Sequence, residues 1–318
     1  MDNSKQTQDR FGHIIGQKKL KRQINFLLDA HDKTKRLAPL GLLASKGMGK
    51  TLVAKAIKEY ISENCKTENG KKARGLIVDS GSLPKNPADF VELFWMSKIQ
   101  NKDVFCIFDE AHQIPKQLAS GLFLSLLQRQ PDPIIRVNLP EIGEITVDQR
   151  RQKFALCTTE RNSLFHALRD RLKILDFEEY TEDELGQIVN LSCDNVVWKG
   201  DILNDISKVL RGSPRKANDV AEDIMAYVAN KQDPMFGINE WNDLRSIMNI
   251  NPLGLTEDEM NYMRHLRKKK KTTLTVMSAA IGHQRSSVQQ IETFLMKAGL
   301  MKVVENSMRQ ITKEGESL

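Results

Sequence analysis

Residues 44–51 read Ala44-Ser45-Lys46-Gly47-Met48-Gly49-Lys50-Thr51, and the fold turns on how this octet is taken. It follows G-x-x-x-x-G-K-[ST], with alanine at the first position. In that pattern backbone N–H groups wrap phosphate oxygens, the lysine reaches the outer phosphates, and the hydroxyl meets a magnesium ion. Gly47, Met48, Gly49, Lys50 and Thr51 supply everything but the entry glycine. A methyl is the smallest side chain that can stand in that glycine's place, so the loop geometry is expected to survive. Lys46 is either a solvated charge or an extra phosphate contact.

Working outward, Leu40-Gly41-Leu42-Leu43 before the octet is a short apolar run, and Leu52, Val53, Ala56, Ile57 and Ile61 after it recur at helical spacing. Strand, loop and helix therefore follow one another. Gly75-Leu76-Ile77-Val78, Val104-Phe105-Cys106-Ile107-Phe108, Phe154-Ala155-Leu156-Cys157 and Ile174-Leu175-Asp176-Phe177 are further runs, about five in all. Continuous apolar runs are what strands buried on both faces of a parallel sheet show. Helical patterns separate most of them, which predicts an α/β layered fold.

A phosphate loop needs a carboxylate for its metal, and Asp109-Glu110 follows directly on the run 104–108. Asp109 is expected to hold Mg²⁺ and Glu110 to polarise an attacking water, the two roles that hydrolysis of a nucleoside triphosphate requires. The tetrad Asp109-Glu110-Ala111-His112 spells DEAH without other helicase signatures, and His112 is taken as local structure. Thr158 and Thr159 end the next strand, where either would bridge a γ-phosphate and the water.

After Phe177 the character changes. Thr181-Glu182-Asp183-Glu184 is a capping box, and helical segments without strand candidates continue to about Lys231. A second capping box, Thr256-Glu257-Asp258-Glu259, follows the break at Pro252-Leu253-Gly254. Beyond it come a helix near 275–281, a turn at Gly282, a helix near 286–297, and two short runs flanking Glu305-Asn306-Ser307. That order predicts a winged helix. The expected domains are 1–178, with 1–10 as a flexible lead-in, then a helical lid at 179–250 and a winged helix at 251–318.

At 318 residues, 40% hydrophobic and 28% charged, neither disorder nor a fibre is expected. No apolar run reaches the roughly 18 residues of a bilayer span, so a soluble, cytoplasmic protein is the expectation. Cys65, Cys106, Cys157 and Cys193 lack zinc-ligand spacing. The net charge of +7 favours a polyanionic partner once a patch is located. Lys268, Lys269, Lys270 and Lys271 form the densest basic run, and Arg285, Lys302 and Arg309 lie on the second helix and the wing. These are the candidate DNA contacts, with phosphate contacts supplying sequence-independent affinity; a solvated face or a protein-binding wing is the alternative.

With these pieces assembled, the chain resembles RuvB, a hexameric AAA+ motor, over nearly its whole length. The matching pieces are Ile15-Gly16-Gln17, GMGKT, the acidic pair, Cys157-Thr158-Thr159, Leu168-Arg169-Asp170-Arg171, Arg211-Gly212-Ser213-Pro214-Arg215 and the tail around Ala279-Ala280-Ile281-Gly282. The usual GPPGLGKT is ASKGMGKT here, which makes the chain a divergent relative. The resemblance implies an AAA+ P-loop core, ATP and Mg²⁺ as cofactors, and a homo-oligomeric, hexameric ring driving branch migration of Holliday junctions on duplex DNA. It implies Arg171 as the finger reaching a neighbour's ATP and Arg215 as the γ-phosphate sensor. It also implies Ile14, Ile15 and Tyr180 beside the adenine; for these three, core packing is the alternative. Segment 133–149, with Ile134, Ile135 and Val137, occupies the place of the family's RuvA-docking hairpin, so a RuvA-like partner is among the expectations. Clamp loaders and helicase loaders share the architecture, and a nucleotide-binding DNA regulator without turnover is a third reading.

Overall fold

The computed structural model describes residues 10–64, 72–139 and 143–317. Cys65, the lead-in 1–9 and the hairpin tip 140–142 lie outside the described residues. The chain divides into two compact units, Met1–Ser192 with Gly212–Ala221, and Cys193–Arg211 with Glu222–Leu318.

The first unit contains α1 (Lys18–Thr34), β1 (Leu40–Leu43), α2 (Lys50–Asn64), β2 (Arg74–Asp79), β3 (Val104–Asp109), β4 (Ile134–Leu139), β5 (Gly143–Asp148), β6 (Gln152–Thr158), β7 (Lys173–Leu175) and α3 (Glu182–Ser192). Five strands form one parallel sheet in the order β2-β3-β6-β1-β7. Both faces are covered, which is why the strands read as unbroken apolar runs. Along β3, Val104, Cys106 and Phe108 join a core with Trp95, Phe123 and Phe154, while Phe105 and Ile107 join the opposite core beneath α1 and α2. Burial pushes the Cys106 and Cys157 thiols above the usual range, so both behave as small hydrophobic side chains. Arg10, expected in a flexible lead-in, is anchored instead: it pairs with Asp29 at 2.7 Å and lies 5.0 Å over the Tyr60 ring.

Strands β4 and β5 form a separate antiparallel hairpin. Ile135 pairs with Val147 and Val137 with Ile145, and all four are buried in the sheet's core. The facing-away pairs are Ile134 with Asp148, Arg136 with Thr146 and Asn138 with Glu144. The hairpin expectation holds, but Ile135 and Val137 are not available to a partner: strand alternation turns them inward.

The second unit contains β8 (Val197–Trp198), α4 (Ile202–Leu210), the distal part of α5 (Pro214–Lys231), β9 (Met235–Phe236), α6 (Ile238–Ile247), α7 (Glu257–Lys269), β10 (Lys271–Thr272), α8 (Leu274–Ile281), α9 (Arg285–Lys297), β11 (Met301–Val304) and β12 (Met308–Ile311). The segment expected to be purely helical carries one parallel pairing, β8 with β9, pinned by the edge-on rings of Trp198 and Phe236. Two-residue strands are too short to register as alternation. In the winged helix, α7, α8 and α9 enclose Tyr262, Leu266, Met277, Val288 and Leu295, and a three-stranded sheet in the order β10-β12-β11 closes the core. The α8 C-cap is Gly282 at φ +71, the left-handed conformation glycine adopts without strain. No helix among the described residues is long and apolar enough to cross a membrane.

Candidate functional site

Strand order places the site. β6 lies between β3 and β1, so the carboxyl ends of three neighbouring strands deliver the octet, the acidic pair and the two threonines to one edge, where open α/β sheets bind ligands. A pocket of about 610 Å³ opens there, lined by Ile14, Ile15, Gly47, Gly49, Lys50, Thr51, Asp109, Glu110, Thr159, Tyr180 and Arg215, among others. Every one of these lies in the first unit.

Within the octet, Gly47 and Gly49 have φ of +83 and +84, while Ala44 is absent from the positive-φ residues. The substitution therefore sits where any L-residue fits, and the two positions that need glycine have it. A Cβ on Gly47 would lie 3.1 Å from Ser213 Oγ, so the loop packs closely there. Lys50 is 6% exposed, and its Nζ donates to the carbonyls of Ala44 and Ser45, both at 2.8 Å. Burial holds the ammonium below the usual lysine range, against the pull of Glu110 and Asp109. Thr51 Oγ1 donates to Asp109 Oδ2 at 3.2 Å, which brings the expected magnesium ligands together.

Glu110 occupies the left-handed region, φ 47 and ψ 49, unusual for a residue with a Cβ and typical of strain held at a working site. Two groups meet its carboxylate. Thr159 Oγ1 donates to Oε2 at 3.3 Å, and His112 Nδ1 lies 3.4 Å from the same oxygen. The same His112 nitrogen is 2.9 Å from Thr158 Oγ1. Thr158 is fully buried and its hydroxyl accepts from the Glu160 N–H at 3.0 Å, so Thr159, not Thr158, faces the pocket. His112, read from the sequence as local structure, bonds Thr158 and stands beside the glutamate.

Gln17, marked in the sequence only as part of Ile15-Gly16-Gln17, organises the pocket wall around Ile14, Ile15 and Tyr180. Its buried amide donates to the Glu178 carbonyl at 2.7 Å and accepts from the Glu178 N–H at 3.0 Å. That clamp joins the 14–15 segment to the chain leading into Tyr180. Ile14 is 2% exposed, and burial raises the Tyr180 phenol. At the far wall, Ser192 Oγ donates to Asn218 Oδ1 at 3.1 Å, tying the end of α3 to the start of α5 beside Arg215. Arg171 lies outside the pocket lining. Its Nε donates to Leu124 O at 3.0 Å and its Nη1 to Ala167 O at 2.8 Å.

On the winged helix, Lys268, Lys269, Lys270, Lys271, Arg285 and Lys302 are exposed. Lys271 and Lys302 both pair with Gln310, from opposite sides, so all three project from one sheet face. Arg309 departs from the expectation of a DNA contact. It is 8% exposed and spent on Glu292, with Nε to Oε1 at 2.8 Å and Nη2 to Oε2 at 3.0 Å. Strand alternation turns it inward with Ile311.

The sheet order, the glycine-bearing loop, the acidic pair and the appended winged helix define the class: an AAA+ P-loop ATPase fold. A model of the RuvB C-terminal winged helix domain matches residues 252–318. The Holliday junction branch migration complex subunit RuvB of Phytoplasma mali (strain AT) is 26% identical over 298 residues, 91% of this chain and 85% of that one. Among solved structures, the Thermotoga maritima RuvB Holliday junction branch migration motor superposes with a TM-score of 0.74 at 19% identity, covering 98% of this chain and 97% of that chain. A mutant of the same protein gives 0.74 at 19% identity, covering 96% and 95%. The similarity to RuvB thus runs from the core to the winged helix.

Proposed function

We propose that this protein is an ATP-driven DNA motor that moves Holliday junctions, working as a homo-oligomeric, hexameric ring in the cytoplasm. The observation that carries the reading is the meeting of Lys50, Thr51, Asp109, Glu110, Thr159 and Arg215 on one pocket, in a chain that carries the RuvB winged helix.

The pocket suits a nucleoside triphosphate. Two left-handed glycines leave backbone N–H groups free of Cβ crowding, and a buried ammonium stands beside them. Thr51 and Asp109 would hold Mg²⁺, which supplies charge neutralisation at the phosphates. Glu110, held by Thr159 and beside His112, would polarise the attacking water, and Arg215 would contact the γ-phosphate. Ile14, Ile15 and Tyr180 would enclose the adenine. Arg171 would act in a neighbouring subunit, leaving the backbone carbonyls it now caps. Exposed Lys268 to Lys271, Arg285 and Lys302 would follow the DNA backbone, giving affinity indifferent to sequence. The working parts are assigned to 1–178, 179–250 and 251–318.

A RuvA-like partner would meet the outer face of the β4–β5 hairpin. The test of the whole reading is ATP-dependent branch migration of a synthetic four-way junction, with ring formation followed by light scattering in the presence of an ATP analogue. Movement that stops in Glu110→Gln, and a ring whose hydrolysis fails in Arg171→Ala, are the expected results. A strictly monomeric protein with nucleotide and junction present would remove the motor. Binding to a sliding clamp or a replicative helicase without junction movement would put a loader in its place.

A further inference from the structure

Arg211 is the last residue of the second unit's first segment, and Gly212 opens the stretch that carries Arg215. Arg211 is the C-cap of α4 and is left-handed, φ 58 and ψ 43, the turn with which helices commonly end. Its side chain reaches into the winged helix. Nη1 donates to Glu259 Oε2 at 2.6 Å and Nη2 to Oε1 at 2.8 Å, a two-pronged pair whose side chains are 13% and 6% exposed. The guanidinium carbon lies 3.2 Å from the Phe294 ring centroid, and Nη1 also reaches the Gly254 carbonyl at 3.3 Å.

Glu259 serves two elements at once. Its Oε2 accepts from the Thr256 N–H at 2.9 Å while its own N–H donates to Thr256 Oγ1, closing the α7 capping box. A separate observation marks the same joint: Gly254 has φ +65, and a Cβ there would stand 2.3 Å from the Val209 carbonyl oxygen, in α4. Backbone meets backbone between the lid helix and the approach to α7. A buried ion pair adds little net stability because desolvation offsets the attraction, and fixing one geometry is its better-attested use. The pair leaves Arg211 Nε buried without a partner, which weakens a purely stabilising account further.

We propose that the Arg211–Glu259 pair is a positioning latch that fixes α4 of the lid to the winged helix, so that rearrangement at Arg215 is delivered to the DNA-holding domain. This rests on the motor reading above. Arg211 is not among the residues lining the pocket and is assigned no catalytic role; it acts through Glu259 and α7.

Three variants of the full chain test it. Arg211→Gly removes the latch while giving the left-handed position its preferred residue. Gly254→Ala forces the joint apart without touching a charge. Arg211→Lys keeps the charge but loses the fork. With ATP and duplex DNA, Arg211→Gly and Gly254→Ala are expected to retain nucleotide affinity and DNA-free hydrolysis, and to lose about tenfold in DNA acceleration, the size of ordinary coupling between sites. Arg211→Lys should fall between. Amide exchange reads the latch without any activity: in Arg211→Gly the α4 amides should exchange independently of those in α7. Acceleration preserved in Arg211→Gly, or DNA-free and DNA-stimulated rates falling together in both variants, would overturn the latch. Wild type that ignores DNA would sink the motor reading instead, and the exchange pattern would still judge the latch.

Discussion

Arg309 on the wing and Glu292 on α9 form two parallel hydrogen bonds, 2.8 and 3.0 Å long, inside the winged-helix core. Tyr262 OH donates to the same carboxylate at 3.0 Å, and Arg309 Nη1 donates to the Ser307 carbonyl at 2.6 Å. Arg309→Ala would leave a buried carboxylate short of its partner, a loss of about 3–5 kcal/mol. It should lower the urea midpoint sharply. Lys302→Ala should leave that midpoint in place and reduce the slope of log affinity against log salt by about 1. Fluorescence anisotropy of labelled duplex across a salt series separates the two, and a reduced slope with unchanged stability in Arg309→Ala would refute the burial argument.

Glu110→Gln retains the shape of the side chain but not the base. Hydrolysis should fall by about 10²–10⁴-fold, with ATP affinity held, since Lys50 and Thr51 are untouched. Thr159→Val should lower turnover by less, because His112 still stands 3.4 Å from the carboxylate. Turnover by steady-state assay and affinity by fluorescent nucleotide titration decide it; equal rates in wild type and Glu110→Gln would remove the assigned base.

The phosphate loop makes opposite predictions at two of its positions. Ala44→Gly should change nucleotide affinity by less than about 0.5 kcal/mol, because Ala44 has an ordinary backbone conformation. Gly47→Ala forces a side chain into the left-handed region at a cost of about 1–2 kcal/mol, and its methyl would crowd Ser213. Calorimetric titration with an ATP analogue should rank Gly47→Ala as the weaker binder; a large gain in Ala44→Gly would show that the entry position does constrain the loop.

Stability should depend on pH through His31. Its ring is fully buried, and burial, with Lys153 nearby, pushes its pKa down to about 4 from 6.5. Above pH 6.5 neither state carries the proton and the residue contributes no slope. Between pH 6.5 and 4 the unfolded chain binds a proton that the folded chain refuses, so stability falls with pH by up to about 3 kcal/mol. Denaturation of wild type and His31→Gln at pH 7.5 and 5 isolates this share: wild type should lose more than the variant, and equal losses would place the titration elsewhere.

Much of this was legible in the residues. Five apolar runs located the sheet because both of its faces are covered, and the octet and acidic pair followed from their places at strand ends. Other features depend on contacts between residues far apart in the chain. The Gln17 clamp closes on Glu178, and Glu110 takes its left-handed turn without any glycine to announce it. The β8–β9 pairing is two residues long and rests on Trp198 meeting Phe236. At Arg309 alternation outranks charge: Ile311 faces inward, and two residues back along a strand the same face must hold Arg309.

The β4–β5 hairpin has a consequence for whatever docks on it. Its greasy side is largely occupied by its own protein, and what it offers outward is Arg136, Asn138, Thr146 and Glu144 beside a half-buried Ile134. Adhesion to such a face comes from charge and amide pairing, which ions in solution dilute. A companion seated there would therefore be exchangeable, gripping firmly in dilute buffer and slipping off as ionic strength climbs.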